Sequence, residues 1–238
     1  MKTNYLYNEF KHCGVDYSDN QQAKAYDTNH KTFRDYEKEF NDTVNFLELK
    51  NVADISMVDL GCGTGAMSIY GAKIFRKVYA VDISPEMIKQ AKQKSETENV
   101  NNIEFINAGF LTYKHTSDPA DLLITKFAFH HLPDFWKQIA LFNMNSMLKA
   151  DGILYINDVV FNFEPAQYIS KIDTWLDWWR SKTDSAMVGE IETHIREEYS
   201  TFTWILEGMI EKAGFLIEKK YTTDDFVMEY KCRKVKFI

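Results

Sequence analysis

The chain has little of what a disulfide scaffold, a membrane protein or a nucleic-acid binder needs. Its three cysteines, Cys13, Cys62 and Cys232, are odd in number, far apart and not at metal-ligand spacing. They argue against a disulfide framework and predict three free thiols and no metal site. No run approaches the ~18 apolar residues that span a bilayer. The start, MKTNYLYNEF, lacks the basic end and apolar middle of a signal peptide, so the cytoplasm is the expected location. Positive charge is also short: 28 Lys and Arg face 35 Asp and Glu, a formal charge of −7. That balance is poor for displacing phosphate counterions and disfavours a nucleic-acid partner.

What is present is an alternation. Strands are predicted at ISMVDL (55–60), KVYAVDI (77–83), NIEFINA (102–108), DLLITKF (121–127) and GILYINDVV (152–160). Helices are predicted between them, from Met67 to Phe75, Pro85 to Thr97 and Asp134 to Leu148, with Ser84 and Asp134 as candidate caps. Alternating strands and helices imply a doubly wound, mostly parallel sheet covered on both faces. Two segments fall outside this pattern. Residues 1–50 read as a helical cap, helical from about Asp27 to Leu49; residues 51–238 form the main domain, with a helical, lid-like insertion at about 162–200. A further helix is expected from Ser200 to Ala213, and the last 24 residues read as two strands, an antiparallel pair at one sheet edge.

The chemistry concentrates in VDLGCGTG (58–65). An apolar strand ends in a turn with Gly61, Gly63 and Gly65, where backbone can approach a ligand closely. A dinucleotide fingerprint is spaced G-x-G-x-x-G for a pyrophosphate; this turn is G-x-G-x-G, and Asp59 before it repels phosphate but attracts a cation. Asp82 ends the next strand, where a carboxylate can accept hydrogen bonds from ribose hydroxyls. A ribosylated ligand carrying positive charge fits both acids, and S-adenosyl-L-methionine is such a ligand. A nicotinamide-dependent oxidoreductase is the rival that the glycine spacing opposes.

With VDISPEMI (81–88), FINAGF (105–110), DLLITKFAFHHLPD (121–134), LKADGILYINDV (148–159) and EKAGF (211–215), the chain resembles the Rossmann-like, class I S-adenosylmethionine-dependent methyltransferases. The resemblance implies a seven-stranded, mostly parallel α/β sheet with helices on both faces and an antiparallel C-terminal strand. It implies that the glycine turn with Cys62 wraps the amino-acid and sulfonium end of the cofactor and that Asp82 holds the ribose. Ile83 and Met87 would pack on the adenine, and Lys126 and Phe127 would line the methionyl side. There is one departure: where many relatives carry an acid that meets the adenine amino group, this sequence has Gly109, leaving the backbone of Gly109 and Phe110 for the ring.

The acceptor is less legible. His130, in the pair with His131, is the candidate base, and Tyr17 and Tyr26 are candidate substrate contacts. Trp175, Trp178 and Trp179 recur at helical spacing and read as core or as an aromatic acceptor wall. Glu190, Glu192, Glu197 and Glu198 read as a solvated helix face. The chain lacks the N/D-P-P-Y/F stretch and any cysteine preceded by proline, features of some nucleic-acid methyltransferases. A small-molecule acceptor is expected; Lys89, Lys92 and Lys94 keep an RNA methyltransferase as the alternative, beside a protein that binds the cofactor without transferring its methyl.

Overall fold

The structure, a computed structural model, describes residues 5–11, 13–14 and 34–237. Tyr17 and Tyr26 lie outside the described residues, as do residues 27–33 of the expected N-terminal helix; Arg34 and Asp35 are described and not helical, which corrects the expected run. Its described part is α1, Tyr36–Leu47, capped by the Asp35 carboxylate, which accepts the Lys38 amide. There follow β1 (Ser56–Leu60), α2 (Ala66–Ala72), β2 (Lys77–Asp82), α3 (Pro85–Thr97), β3 (Ile103–Asn107), β4 (Ala120–Lys126), α4 (Asp134–Met147) and β5 (Leu148–Phe161). Helices α5 (Tyr168–Arg180) and α6 (Ser185–Glu197) occupy the insertion; β6 (Thr201–Phe202), α7 (Thr203–Lys212), β7 (Phe215–Thr222) and β8 (Val227–Lys234) complete the chain.

The sheet order is β3-β2-β1-β4-β5-β8-β7, with β6 paired to the far end of β5. All pairs from β3 to β5 are parallel. The C-terminal hairpin forms as expected, but its last strand lies inside the sheet: β8 is antiparallel to both β5 and β7, and β7 takes the edge. Burial explains the placement. In β8, Met228, Tyr230 and Cys232 are buried, whereas β7 is largely exposed beyond Phe215, as an edge strand tolerates.

Side chains alternate between two apolar layers. Val58, Leu60, Leu123, Leu154 and Ile156 face α4 and α7; Met57, Val78, Leu122, Ile124 and Tyr155 face α1 and α2. Both faces are covered, so β1 is buried at every residue.

Two boundaries differ from expectation. Asp134 does not cap α4: the cap position is Pro133, one residue earlier, and the Asp134 carboxylate accepts instead from Lys137 Nζ at 2.9 Å and Thr201 Oγ1 at 3.0 Å. Thr201 and Phe202 are strand rather than helix because β5 offers them a parallel partner in Val160 and Phe161. Ser84 caps α3 as expected, accepting from Met87 N at 3.2 Å.

Gly65 fixes how α2 sits on α3. Its φ is +83°, and a Cβ there would lie 2.8 Å from Ala91 Cβ. Gly65→Ala is expected to lower unfolding stability by about 1–3 kcal/mol through strain and overlap, read from the urea midpoint.

Candidate active site

The order of the strands reverses between β1 and β4, and a crevice opens beyond the carboxyl ends there. A cavity of about 600 Å³ fills it. All of the residues expected at the site line this cavity except Gly65, which serves the packing of α2 on α3.

Asp82 ends β2 with its carboxylate held from two sides. Gly63 N donates to Oδ2 and Ser84 N to Oδ1, each at 2.8 Å. The two amides oppose the upward push that burial gives its pKa, and each oxygen keeps a lone pair for a further donor. Asp59 is deeper, 2 % exposed, and accepts from Ser68 Oγ at 2.6 Å. Burial, with the Asp82 charge adding, pushes its carboxyl up to about 7 against the Ser68 hydrogen bond. A Cβ on Gly63 would meet nothing within 4 Å, whereas one on Gly61 would lie 2.3 Å from Ala128 Cβ. The turn therefore packs at one glycine and leaves open space at the other.

The Gly109 end holds a side chain that sequence reasoning missed. Glu9, from the N-terminal segment, is 6 % exposed and lines the cavity. Its carboxylate accepts from Leu111 N at 3.0 Å, Thr112 N at 2.8 Å and Thr112 Oγ1 at 2.6 Å. A Cβ on Gly109 would lie 2.5 Å from the Glu9 carboxyl carbon and 2.5 Å from Ile83 Cγ2. The glycine is therefore the residue that admits Glu9. Nothing local in FINAGF signals this, because the partner lies about a hundred residues upstream.

On the opposite wall Lys126 Nζ pairs with Glu39 of α1 at 3.1 Å. Phe127 follows at φ +51°, an uncommon conformation for a bulky residue, with Arg34 over its ring. Trp175 stacks on Phe226 with centroids 4.3 Å apart, and Trp175 and Trp179 also line the cavity, so these indoles are core and wall at once; Trp178 is exposed.

His130 is 7 % exposed, and both of its ring nitrogens are engaged. Nδ1 lies 2.5 Å from Asp158 Oδ1, and Nε2 lies 3.3 Å from Glu198 Oε2. The amides of Phe129, His130 and Val159 all donate to Asp158. Against burial, which would raise it, His130 and these donors hold the Asp158 carboxyl at about 2. Burial lowers the His130 pKa, but Asp158 and Glu198 outweigh it and the net shift is upward. Glu198 corrects the expected solvated acidic face: its side chain is 3 % exposed, within reach of His130, His131 and His194. Those histidines outweigh burial and hold its carboxyl at about 2. His131 goes the other way, pushed down to about 4 by burial and by His130. Asp158 was visible at the carboxyl end of a predicted strand; Glu198 was masked by the charged run around it.

Lys89 and Lys92 are exposed on α3, but Glu86, Glu96 and Glu98 share or adjoin that helix, so no basic face forms there. No helix among the described residues is long and apolar enough to cross a membrane.

Glu9→Ala leaves the Leu111 and Thr112 amides without their acceptor. Hydrogen exchange at those two amides is expected to accelerate at least tenfold, while exchange in β1 is unchanged.

The site can be set beside known proteins. A family model described as a methyltransferase domain matches residues 57–152. An uncharacterized methyltransferase of Bacillus pumilus is 25% identical over 187 residues, 79% of this chain and 81% of the relative. An S-adenosylmethionine-dependent methyltransferase from Clostridium acetobutylicum superposes with a TM-score of 0.68 at 13% identity, covering 91% of this chain and 99% of its own. Magnesium protoporphyrin IX methyltransferase from Synechocystis, solved with bound SAM, gives 0.63 at 16% identity over 98% of this chain and 100% of its own. The matched domain runs from the glycine turn to the start of the long strand that carries Asp158, and over that stretch the chain is similar to methyltransferases.

Proposed function

We propose that the protein transfers the methyl group of S-adenosyl-L-methionine to a small-molecule acceptor bound in the same cavity. The observation that carries this reading is the Asp82 carboxylate, fixed by Gly63 and Ser84 at the mouth of the glycine turn and turned to a cavity of about 600 Å³. A carboxylate so held matches a ribose diol.

The cofactor's amino-acid end lies on Gly61, Cys62 and Gly63, with Asp59 facing its ammonium group. Lys126 and Phe127 border the methionyl chain. Ile83, Met87 and Phe110 hold the adenine, and Glu9 supplies at Gly109 the acceptor for its amino group. The remaining volume, walled by Phe127, Trp175 and Trp179 beneath α5 and α6, suits a small apolar or planar acceptor better than a polymer. In this reading residues 1–50 and the insertion at about 162–200 act as cap and lid.

The reaction is an in-line displacement. A lone pair on the acceptor attacks the methyl carbon, the carbon–sulfur bond breaks, and its electron pair returns to sulfur as S-adenosylhomocysteine leaves. The cofactor is already activated, so the protein contributes orientation and exclusion of water. The polar end of the cavity, His130 between Asp158 and Glu198, is where the acceptor's proton is handled.

Calorimetry with S-adenosylmethionine and S-adenosylhomocysteine tests the cofactor seat. Asp82→Ala is expected to weaken both by about 100-fold or more, since two charge-assisted hydrogen bonds are lost; NAD binding in place of both would overturn the reading. Glu9→Ala is expected to weaken binding about tenfold. Affinity should also fall below about pH 7, where the buried Asp59 takes up a proton and stops attracting the ammonium group; a tenfold loss per pH unit is the limiting slope. Binding without turnover across hydroxyl, thiol and amine acceptors would favour a carrier over an enzyme.

A further inference from the structure

Three imidazole rings and a carboxylate converge in the wall of the cavity. His130 and His131 have centroids 4.4 Å apart, and His130 and His194 4.5 Å. Glu198 joins them: Oε2 lies 3.3 Å from His130 Nε2, and Oε1 lies 3.9 Å from His131 Nδ1. One ligating atom from each of His130, His131 and Glu198 falls within a 4.8 Å span. Metal–nitrogen and metal–oxygen bonds are about 2.0–2.2 Å, which sets ligand atoms roughly 3–4 Å apart; a shift of under about 1 Å brings these three into that range.

The surroundings favour coordination over a simple ion-pair clamp. Two of the ligands are oriented through the atom that would not bind the ion. His130 presents Nε2 because Nδ1 is taken by Asp158, itself fixed by three backbone amides. Glu198 is held by His194 Nδ1, whose Nε2 is in turn 2.8 Å from Ser200 Oγ. Histidine ligands are commonly fixed in this way by a carboxylate on the second nitrogen. The charge also balances. Asp158 and Glu198 bring two carboxylates to the cluster, and a dication would answer both. Lys137, whose charge reaches His130, is spent on Asp134 and the Tyr199 carbonyl.

We infer that His130, His131 and Glu198 bind a divalent first-row transition-metal ion, with Asp158 and His194 as positioning residues. Two imidazoles and one carboxylate leave open positions on such an ion, as in catalytic zinc and non-haem iron sites. This departs from the absence of a metal site expected from the cysteines, because the ligands come from an H-H pair and an H-x-x-x-E spacing 64 residues apart. The inference rests on the methyltransferase reading for its role: an acceptor hydroxyl or thiol occupies an open position and loses its proton to solvent. The resulting anion attacks the sulfonium methyl. The favoured acceptors are then small molecules with an oxygen or sulfur nucleophile that can reach a metal.

The test uses the full-length protein stripped with a chelator and titrated with Zn²⁺ by calorimetry and with Co²⁺ by visible absorption. One ion per chain is expected, with Co²⁺ bands of a low-coordinate nitrogen and oxygen site. His131→Ala and Glu198→Gln should each weaken binding about 10- to 100-fold or more, whereas His115→Ala, at the distant Tyr113 contact, should not. His131 is the most exposed ligand, at 27% for its side chain, so its variant is the safeguard should Glu198→Gln disturb folding. S-adenosylmethionine binding by each variant serves as the check of fold. No stoichiometric ion in the wild type, or equal binding in all three variants, overturns the metal site and leaves an ion-pair clamp. Metal binding with no affinity for S-adenosylmethionine overturns the methyltransferase reading instead.

Discussion

A carboxylate buried at the end of β5 sets the geometry on which the cavity depends. Asp158 sits at 2 % exposure and collects three amides and one imidazole. Leaving such a group unpaired would cost several kcal/mol, so the turn over residues 128–131 must wrap it. That wrapping fixes His130 and, through the Tyr199 amide on the His130 carbonyl, the chain after α6. Glu198 and Lys137 complete the same junction. The insertion is thus anchored to the sheet at the place where chemistry is proposed to occur.

Much of the fold was legible because its signals are local and period-bound. Short, nearly continuous apolar runs in β1, β4 and β5 marked strands covered on both faces, and Ser84 with Pro85 marked the start of α3. The residues proposed to seat the cofactor were brought together for a similar reason: Asp59, Gly61, Gly63 and Asp82 lie on successive elements at short spacing and line one cavity. The positions that escaped are set by tertiary contact. Glu9 and Gly109 are about a hundred residues apart, and the side chain of one defines the space of the other. Glu198 lies in a run of acids whose neighbours, such as Glu197 and Arg196, do face solvent. Only packing separates Glu198, and Glu190 at the cavity wall, from the acids that face solvent. The placement of β8 inside the sheet was hidden too, since two adjacent strands of a hairpin have no local signal for which takes the edge.

The cavity divides its electrostatics along its length. Asp59 and Asp82 sit close together, and burial raises both, so an arriving cation relieves their mutual repulsion. At the other end Asp158 and Glu198 are held ionised by histidines. Between them the walls are apolar: Phe127, Val159 and Trp175. Two polarised ends joined by a low-dielectric passage favour a charged cofactor and a polar nucleophile meeting across it, with little room for competing water.

The Glu9 contact has a consequence for how the amino-terminal segment responds to damage. Its described residues are held at several places: Glu9 on Leu111 and Thr112, Tyr7 against Trp136, and Cys13 Sγ on the Glu197 carbonyl. The hydrogen bonds of the Glu9 carboxylate share one side chain, so they break together, while the contacts of Tyr7 and Cys13 persist. Loss of that one carboxylate therefore loosens the cavity wall beside Gly109 without freeing the segment.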